Sequence, residues 1–143
     1  MPSESWPRSR GTYALLLRLG QTTETAIGRL GPVVFPAGYY LYAGSAFGSG
    51  GLKARLGRHQ RRDKRIFWHI DYLLKHARIV GICADVSGQR LECAWALSFL
   101  KMPGARVVAP RFGASDCHCP SHLVYVAQGA GSACGALRAA IRS

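Results

Sequence analysis

Residues 38–59, GYYLYAGSAFGSGGLKARLGRH, restrict the fold of this chain more than any other stretch. Tyr39, Tyr40 and Tyr42 belong to a strand, because aromatic side chains suit a pleated surface. Strand 38–43 runs into a Gly/Ser-rich loop, 45–51, whose glycines let backbone N–H groups come close to a ligand. A basic helix over 52–62 follows, with Leu52 and Leu56 one turn apart on its inner face and Arg55 and His59 paired beside them. Tyrosine, permissive backbone, arginine and histidine in so short a span point to one shared ligand, and a nucleic-acid phosphate is the one expected. Gly44 and Ser45 are then candidate backbone contacts to it, and Arg58 and Arg62 are candidate phosphate contacts on the outer side of the helix.

Charge supports that partner. Lys and Arg outnumber Asp and Glu by 19 to 7, for a formal charge of +12. Most of the basic residues are arginine, which grips phosphate through two N–H groups. With 143 residues, 48% of them hydrophobic, the chain has material for one domain with a real core. Residues 1–10 lack an apolar stretch and are expected to be a frayed tail, not a signal peptide. No run approaches the ~20 apolar residues of a membrane span. Five cysteines, an odd number without a secreted framework, suit a reduced cytoplasmic setting.

The remaining elements follow from apolar runs and turn signals. Strands are expected at Gly11–Leu19, 25–30, 33–35, Arg78–Asp85, 122–127 and, briefly, 106–109. Helices are expected at 66–76 and 91–100, with an irregular loop over 112–120. The domain is expected to span 11–128, followed by a flexible extension, 129–143, with a short basic helix at 136–142. This order predicts an α+β domain.

Acids are scarce, which narrows the candidates for metal-assisted chemistry at phosphate. Asp71 lies opposite His69 on its helix and reads as an ion-pair partner for a nearby Arg or Lys. Glu92 opens an otherwise apolar helix on the face of Trp95, Ala96 and Phe99. It is either a metal ligand or an acid favoured there by the helix dipole, worth about 0.3–1 kcal/mol. Arg55 is suited to clamp a scissile phosphate, and His59 to hydrogen-bond it or assist proton transfer. Tyr13 and Tyr42 read either as core aromatics or as a general base beside a metal-bound water.

Taken in order, these residues resemble the GIY-YIG nucleases, and most closely their small stand-alone Uri-type branch. Gly11-Thr12-Tyr13 matches the GIY element, and Tyr42-Ala43-Gly44 matches YIG. The helix with Arg55 and His59 matches the family's arginine-histidine helix, and Leu91-Glu92-Cys93 the segment with its metal-binding glutamate. FWHIDYLL and FGASDCHCPSHL extend the likeness over roughly 11–128.

The resemblance implies a small, mostly antiparallel sheet flanked by helices, with one Mg²⁺ or Mn²⁺ on Glu92. One of Tyr13 and Tyr42 would position or deprotonate the attacking water. Arg55 would hold the phosphate, His59 would support it, and His69 would take the part of a further histidine. Thr12 and Ala43 replace isoleucines at middle positions, where an apolar or β-branched filler is expected to suffice. A longer gap between the two motifs suggests an inserted hairpin at about 25–35.

Cys117, Cys119 and His122 invite a zinc reading, but C-x-C without a second pair is not a finger spacing, and Cys93 or Cys134 would have to complete it from afar. The expectation is a structural loop without zinc. The expected function is divalent-metal-dependent endonucleolytic hydrolysis of DNA, branched or damaged DNA included. The alternative is a non-catalytic basic nucleic-acid-binding module on the same scaffold.

Overall fold

The segment Gly11–Leu19 is mostly apolar and, apart from Arg18, buried throughout, so as a strand it is covered on both faces. The computed structural model describes residues 6–61, 65–66, 68–114 and 118–126, and builds its main sheet around this segment, β1. β1 pairs antiparallel with β4 (Gly38–Ala46) along its full length and with β5 (Arg78–Asp85) on its other side. β4 pairs antiparallel with β6 (Leu123–Val126), giving the strand order β5-β1-β4-β6.

Alternation along the strands then builds two cores. Tyr13, Leu15, Leu17 and Leu19 of β1 face α1 (Gly51–Gln60) and α2 (His69–Leu74), meeting Leu52, Leu56, Ile70 and Leu73. Ala14 and Leu16 face the other way, with Leu41 and Ala43 of β4, and pack against Trp95, Ala96 and Phe99 of α3 (Glu92–Leu100). The chain is thus an α+β protein with a four-stranded antiparallel sheet between helices, as its patterning leads one to expect.

The hairpin expected at about 25–35 is a separate two-stranded sheet of β2 (Thr23–Ala26) and β3 (Pro32–Phe35). The strand expected over 25–30 stops at Ala26, and a 3-10 turn, Gly28–Leu30, takes its second half. Gly28 and Gly31, at φ 48° and 77°, supply the left-handed backbone that reverses the chain. Ile27 and Phe35, both buried, anchor the hairpin on the α1/α2 side.

Several boundaries move for physical reasons. β4 continues through Ala46, because β1 offers partners as far as Gly11: Thr12 sits opposite Ser45 and Gly11 opposite Ala46. The loop expected from residue 45 therefore begins after Ala46. α1 ends at Gln60 and not at 62. α2 starts only at His69, since Trp68 is extended and donates its backbone N–H to Asp71 Oδ2 at 2.8 Å. The short strand expected over 106–109 amounts to a single bridge between Arg106 and Tyr125.

The expected frayed tail is also corrected for its second half. Ser9 and Pro7 carbonyls accept the N–H groups of Leu52 and Lys53, the first orphan donors of α1. Residues 127–143, including the expected C-terminal helix, lie outside the described residues. Among the described residues no helix is long and apolar enough to cross a membrane.

Candidate active site

Sheet register brings the two motif tyrosines together. Tyr13 pairs with Gly44, and Tyr42 pairs with Leu15, so the two rings lie diagonally on the α1/α2 face, within reach of each other. Gly44 is required here: a Cβ at this position would come within 2.5 Å of the Tyr13 ring, so no larger residue fits unless that ring moves. Gly44 is thus strand backbone, opposite Tyr13, whose missing side chain admits that ring. Ser45, one residue on, points to the opposite face by the period of two and does not join the tyrosines.

α1 crosses this face on Leu52 and Leu56, both fully buried, and their spacing turns Arg55 and His59 toward the tyrosines. Tyr13 OH and His59 Nε2 share a hydrogen bond of 2.5 Å, and His59 is itself buried. The Tyr42 ring lies edge-on to His59 with centroids 6.4 Å apart. Arg55 stacks its guanidinium 4.0 Å above Trp68 and lines a pocket of about 260 Å³ together with Ala46, Ser49 and Ala54.

Arg58 has a different role from the expected phosphate contact. Its guanidinium donates to Asp71 Oδ1 at 2.9 Å and to the Arg65 carbonyl at 2.8 Å, and lies 4.3 Å over the Trp68 ring. Asp71 is fully buried, so this ion pair fastens α1 to α2. The ion-pair reading of Asp71 holds. Arg62 lies outside the described residues.

Burial dominates the electrostatics of both tyrosines. It pushes the Tyr13 hydroxyl far above its ordinary range, helped by Tyr42 and opposed by the Arg55 guanidinium. Tyr42 is pushed up to about 12 by burial, against Arg55, with the Asp71 and Glu92 charges adding.

Glu92 opens α3, the helix packed on the other face of the sheet, yet its charge is felt by both Tyr42 and His122. Its Oε2 is buried and makes no hydrogen bond to the described residues. An unsatisfied buried carboxylate oxygen is costly, and a hard divalent cation would satisfy it. Thr12 sets where α3 begins. Its hydroxyl, from the centre of the sheet, donates to the Gln89 carbonyl at 3.1 Å and accepts the Leu91 N–H at 3.0 Å. That position was expected to need only a filler; the fully buried hydroxyl is used instead.

His69 accepts the Gly113 N–H on Nδ1 at 2.8 Å, and so holds the loop against which Tyr42 and His122 pack. Burial lowers its pKa, in keeping with an acceptor nitrogen. Burial lowers His122 likewise, while Glu92 opposes.

Cys93 and Cys119, expected as reduced thiols, lie at disulfide distance, with Cα atoms 6.0 Å apart. Cys117 and Cys134 lie outside the described residues. Cys93 Sγ also lies 3.5 Å from His122 Nε2. Sequence reasoning missed the roles of Trp68 and Thr12, whereas Cys93, named as one of two residues that could join Cys119 and His122 from afar, does lie beside them. Only Trp68 had a local signal, as the residue three before Asp71 at a helix start.

The family described as Domain of unknown function DUF123 matches residues 12–141. No curated protein and no solved structure matches the chain. The family match begins at Thr12 and takes in both tyrosines, the Arg55/His59 helix, Glu92 and the Cys119/His122 segment, so the chain belongs to the DUF123 family.

Proposed function

We propose that the protein is a divalent-metal-dependent endonuclease of the GIY-YIG type, hydrolysing DNA phosphodiester bonds. The observation that carries this reading is the convergence of Tyr13, Tyr42, Arg55 and His59 on one face, with an unsatisfied Glu92 carboxylate oxygen within electrostatic reach of Tyr42. Such a set has the parts that phosphodiester hydrolysis needs: a phosphate clamp, a proton acceptor and a hard anionic ligand. The net charge of +12 suits a polyanionic substrate.

Glu92 would hold the Mg²⁺ or Mn²⁺. When bound, such an ion polarises a phosphoryl oxygen and lowers the pKa of coordinated water. Arg55, already held in place by Trp68, donates to the non-bridging oxygens as charge builds on them. Tyr13 is too buried to ionise by itself, but its hydroxyl is bonded to His59. As the attacking water gives its proton to the Tyr13 oxygen, the Tyr13 proton passes to His59 Nε2, so no tyrosinate has to form in advance. Tyr42, beside Glu92 and Arg55, orients the water and the phosphate.

The test is cleavage of supercoiled plasmid, single-stranded and branched DNA with Mg²⁺, Mn²⁺ or EDTA. Wild type should cut in a metal-dependent way. Glu92→Ala should not cut but should still bind DNA. Metal-independent cutting, or equal rates for Glu92→Ala, overturns the reading. Salt-sensitive binding without cleavage by wild type favours the non-catalytic DNA-binding alternative.

A further inference from the structure

Cys93, Cys119 and His122 come from the first turn of α3 and from the segment before β6, and their ligand atoms all lie within 4.8 Å of one another. Cys119 and His122 are buried and Cys93 is half-buried. Nothing in the proposed hydrolysis uses these two sulfurs. We propose that Cys93 Sγ, Cys119 Sγ and His122 Nε2 form a second metal site, for a soft divalent cation of the zinc class, and that the Cys93–Cys119 disulfide is its oxidised, metal-free alternative.

The ligand chemistry and the distance both fit. Two thiolates and an imidazole are zinc ligands, whereas Mg²⁺ takes oxygen. Bonds of about 2.3 Å to sulfur and about 2.0–2.1 Å to nitrogen, at a tetrahedral angle, put sulfur and nitrogen roughly 3.5 Å apart. Cys93 Sγ and His122 Nε2 stand at 3.5 Å. Cys93 and Cys119 are already close enough to be cross-linked, so filling the site needs little backbone movement. His122 is fixed by its backbone, with its N–H on the Phe112 carbonyl at 2.8 Å and its carbonyl on the Ala43 N–H at 3.0 Å.

The chemistry balances. A small dithiol reduces the disulfide with two electrons and two protons, giving two thiols and leaving as its own disulfide. Zinc binding then releases both thiol protons, because the ligands are thiolates. The bound ion ties the start of α3, where Glu92 sits, to the segment beside Ala43 and Tyr42. It braces the proposed catalytic carboxylate without sharing its ligand.

The experiment is an anaerobic titration of the dithiol-reduced, desalted full chain with Co²⁺, followed by displacement with Zn²⁺. One Co²⁺ per chain is expected, with thiolate-to-cobalt charge-transfer absorption and the visible bands of a tetrahedral ion, both removed by one Zn²⁺. Cys93→Ser and His122→Ala should abolish the charge-transfer signal or reduce it, and oxidised wild type should bind none. Cys83→Ser, on β5, and Glu92→Ala should keep the full signal. Far-UV circular dichroism selects the variants that remain folded, and half-buried Cys93 is the substitution least disruptive to the core. A reduced wild type without a thiolate band, an unchanged signal in Cys93→Ser, or its loss in Glu92→Ala overturns the proposal. The Glu92→Ala arm separates this site from the one proposed for hydrolysis, since the nuclease reading can fail while the thiolate signal stands.

Discussion

The two faces of the central sheet are fed by the same strands and carry different burdens. On the α3 face, Ala14, Leu16, Leu41, Ala43, Trp95 and Phe99 form an apolar layer. On the α1/α2 face, the core encloses Tyr13, Tyr42 and buried His59, with Arg55, Arg58 and Asp71 around them. Buried polar groups need partners, and the second face supplies them through Tyr13–His59, Arg58–Asp71 and the stacking of two arginines on Trp68. The comparison separates two tasks. One face is an apolar layer, and the other buries polar groups that are paired with one another, while Glu92 stands at the start of α3.

The sharpest break in this comparison is a pair of substitutions, one per face. Phe99→Ala removes a fully buried ring from the apolar layer and should cost about 3–5 kcal/mol of stability. Cleavage per folded molecule should stay near wild type. Tyr13→Phe keeps the ring and removes only the hydroxyl shared with His59, so it should lower the cleavage rate about 100- to 10,000-fold with little change in secondary structure. Urea unfolding and single-turnover cleavage of both variants decide the matter. Equal loss of rate in both would mean that the faces do not divide the work.

A smaller effect is expected where the faces meet. Thr12→Val should leave the Gln89 carbonyl and Leu91 N–H without their partner, costing about 1–2 kcal/mol. It should also raise the Mg²⁺ concentration needed for half-maximal cleavage roughly 10-fold, as outer supports of a metal ligand do. Thr12→Ser keeps the hydroxyl and should restore the metal dependence. A metal dependence unmoved by Thr12→Val would reduce the hydroxyl to a purely structural bond.

The mildest test is acidity. His69 has its pKa lowered by burial and accepts a proton-bearing N–H on Nδ1. The unfolded chain therefore binds the proton more readily, and stability should be fully present above about pH 6.5 and decline as pH falls through the folded value. In His69→Gln this part of the decline should disappear from urea midpoints measured between pH 7.5 and pH 5. An identical decline in the variant would show that His69 does not carry it.

Much of the scaffold was legible in local pattern. The apolar runs at Gly11–Leu19 and Arg78–Asp85 define β1 and β5 to the residue, because strand burial is written in consecutive side chains. The i,i+4 pairs Leu52/Leu56 and Arg55/His59 placed α1's inner face, and His59 on it, for the same reason. Local pattern failed where a residue's partner lies elsewhere. Nothing around residue 45 reveals that β1 extends to pair with it, so β4 read as three residues too short. Arg58 read as an outward phosphate contact because its partner Asp71 belongs to the next helix.

By itself, then, the sequence determined where most strands and helices lie, though not all their ends, the basic charge, and the placing of an arginine and a histidine four apart on one helix. These depend on neighbours within a few positions, whose periodicity is visible in one dimension. Tertiary structure decided the rest: that Tyr13 meets His59, that the Thr12 hydroxyl sets the start of α3, that Glu92 comes within reach of Tyr42, and that Cys93, Cys119 and His122 share one corner. Those contacts join residues 26 to 79 positions apart, and only the pairing order of the strands brings them together.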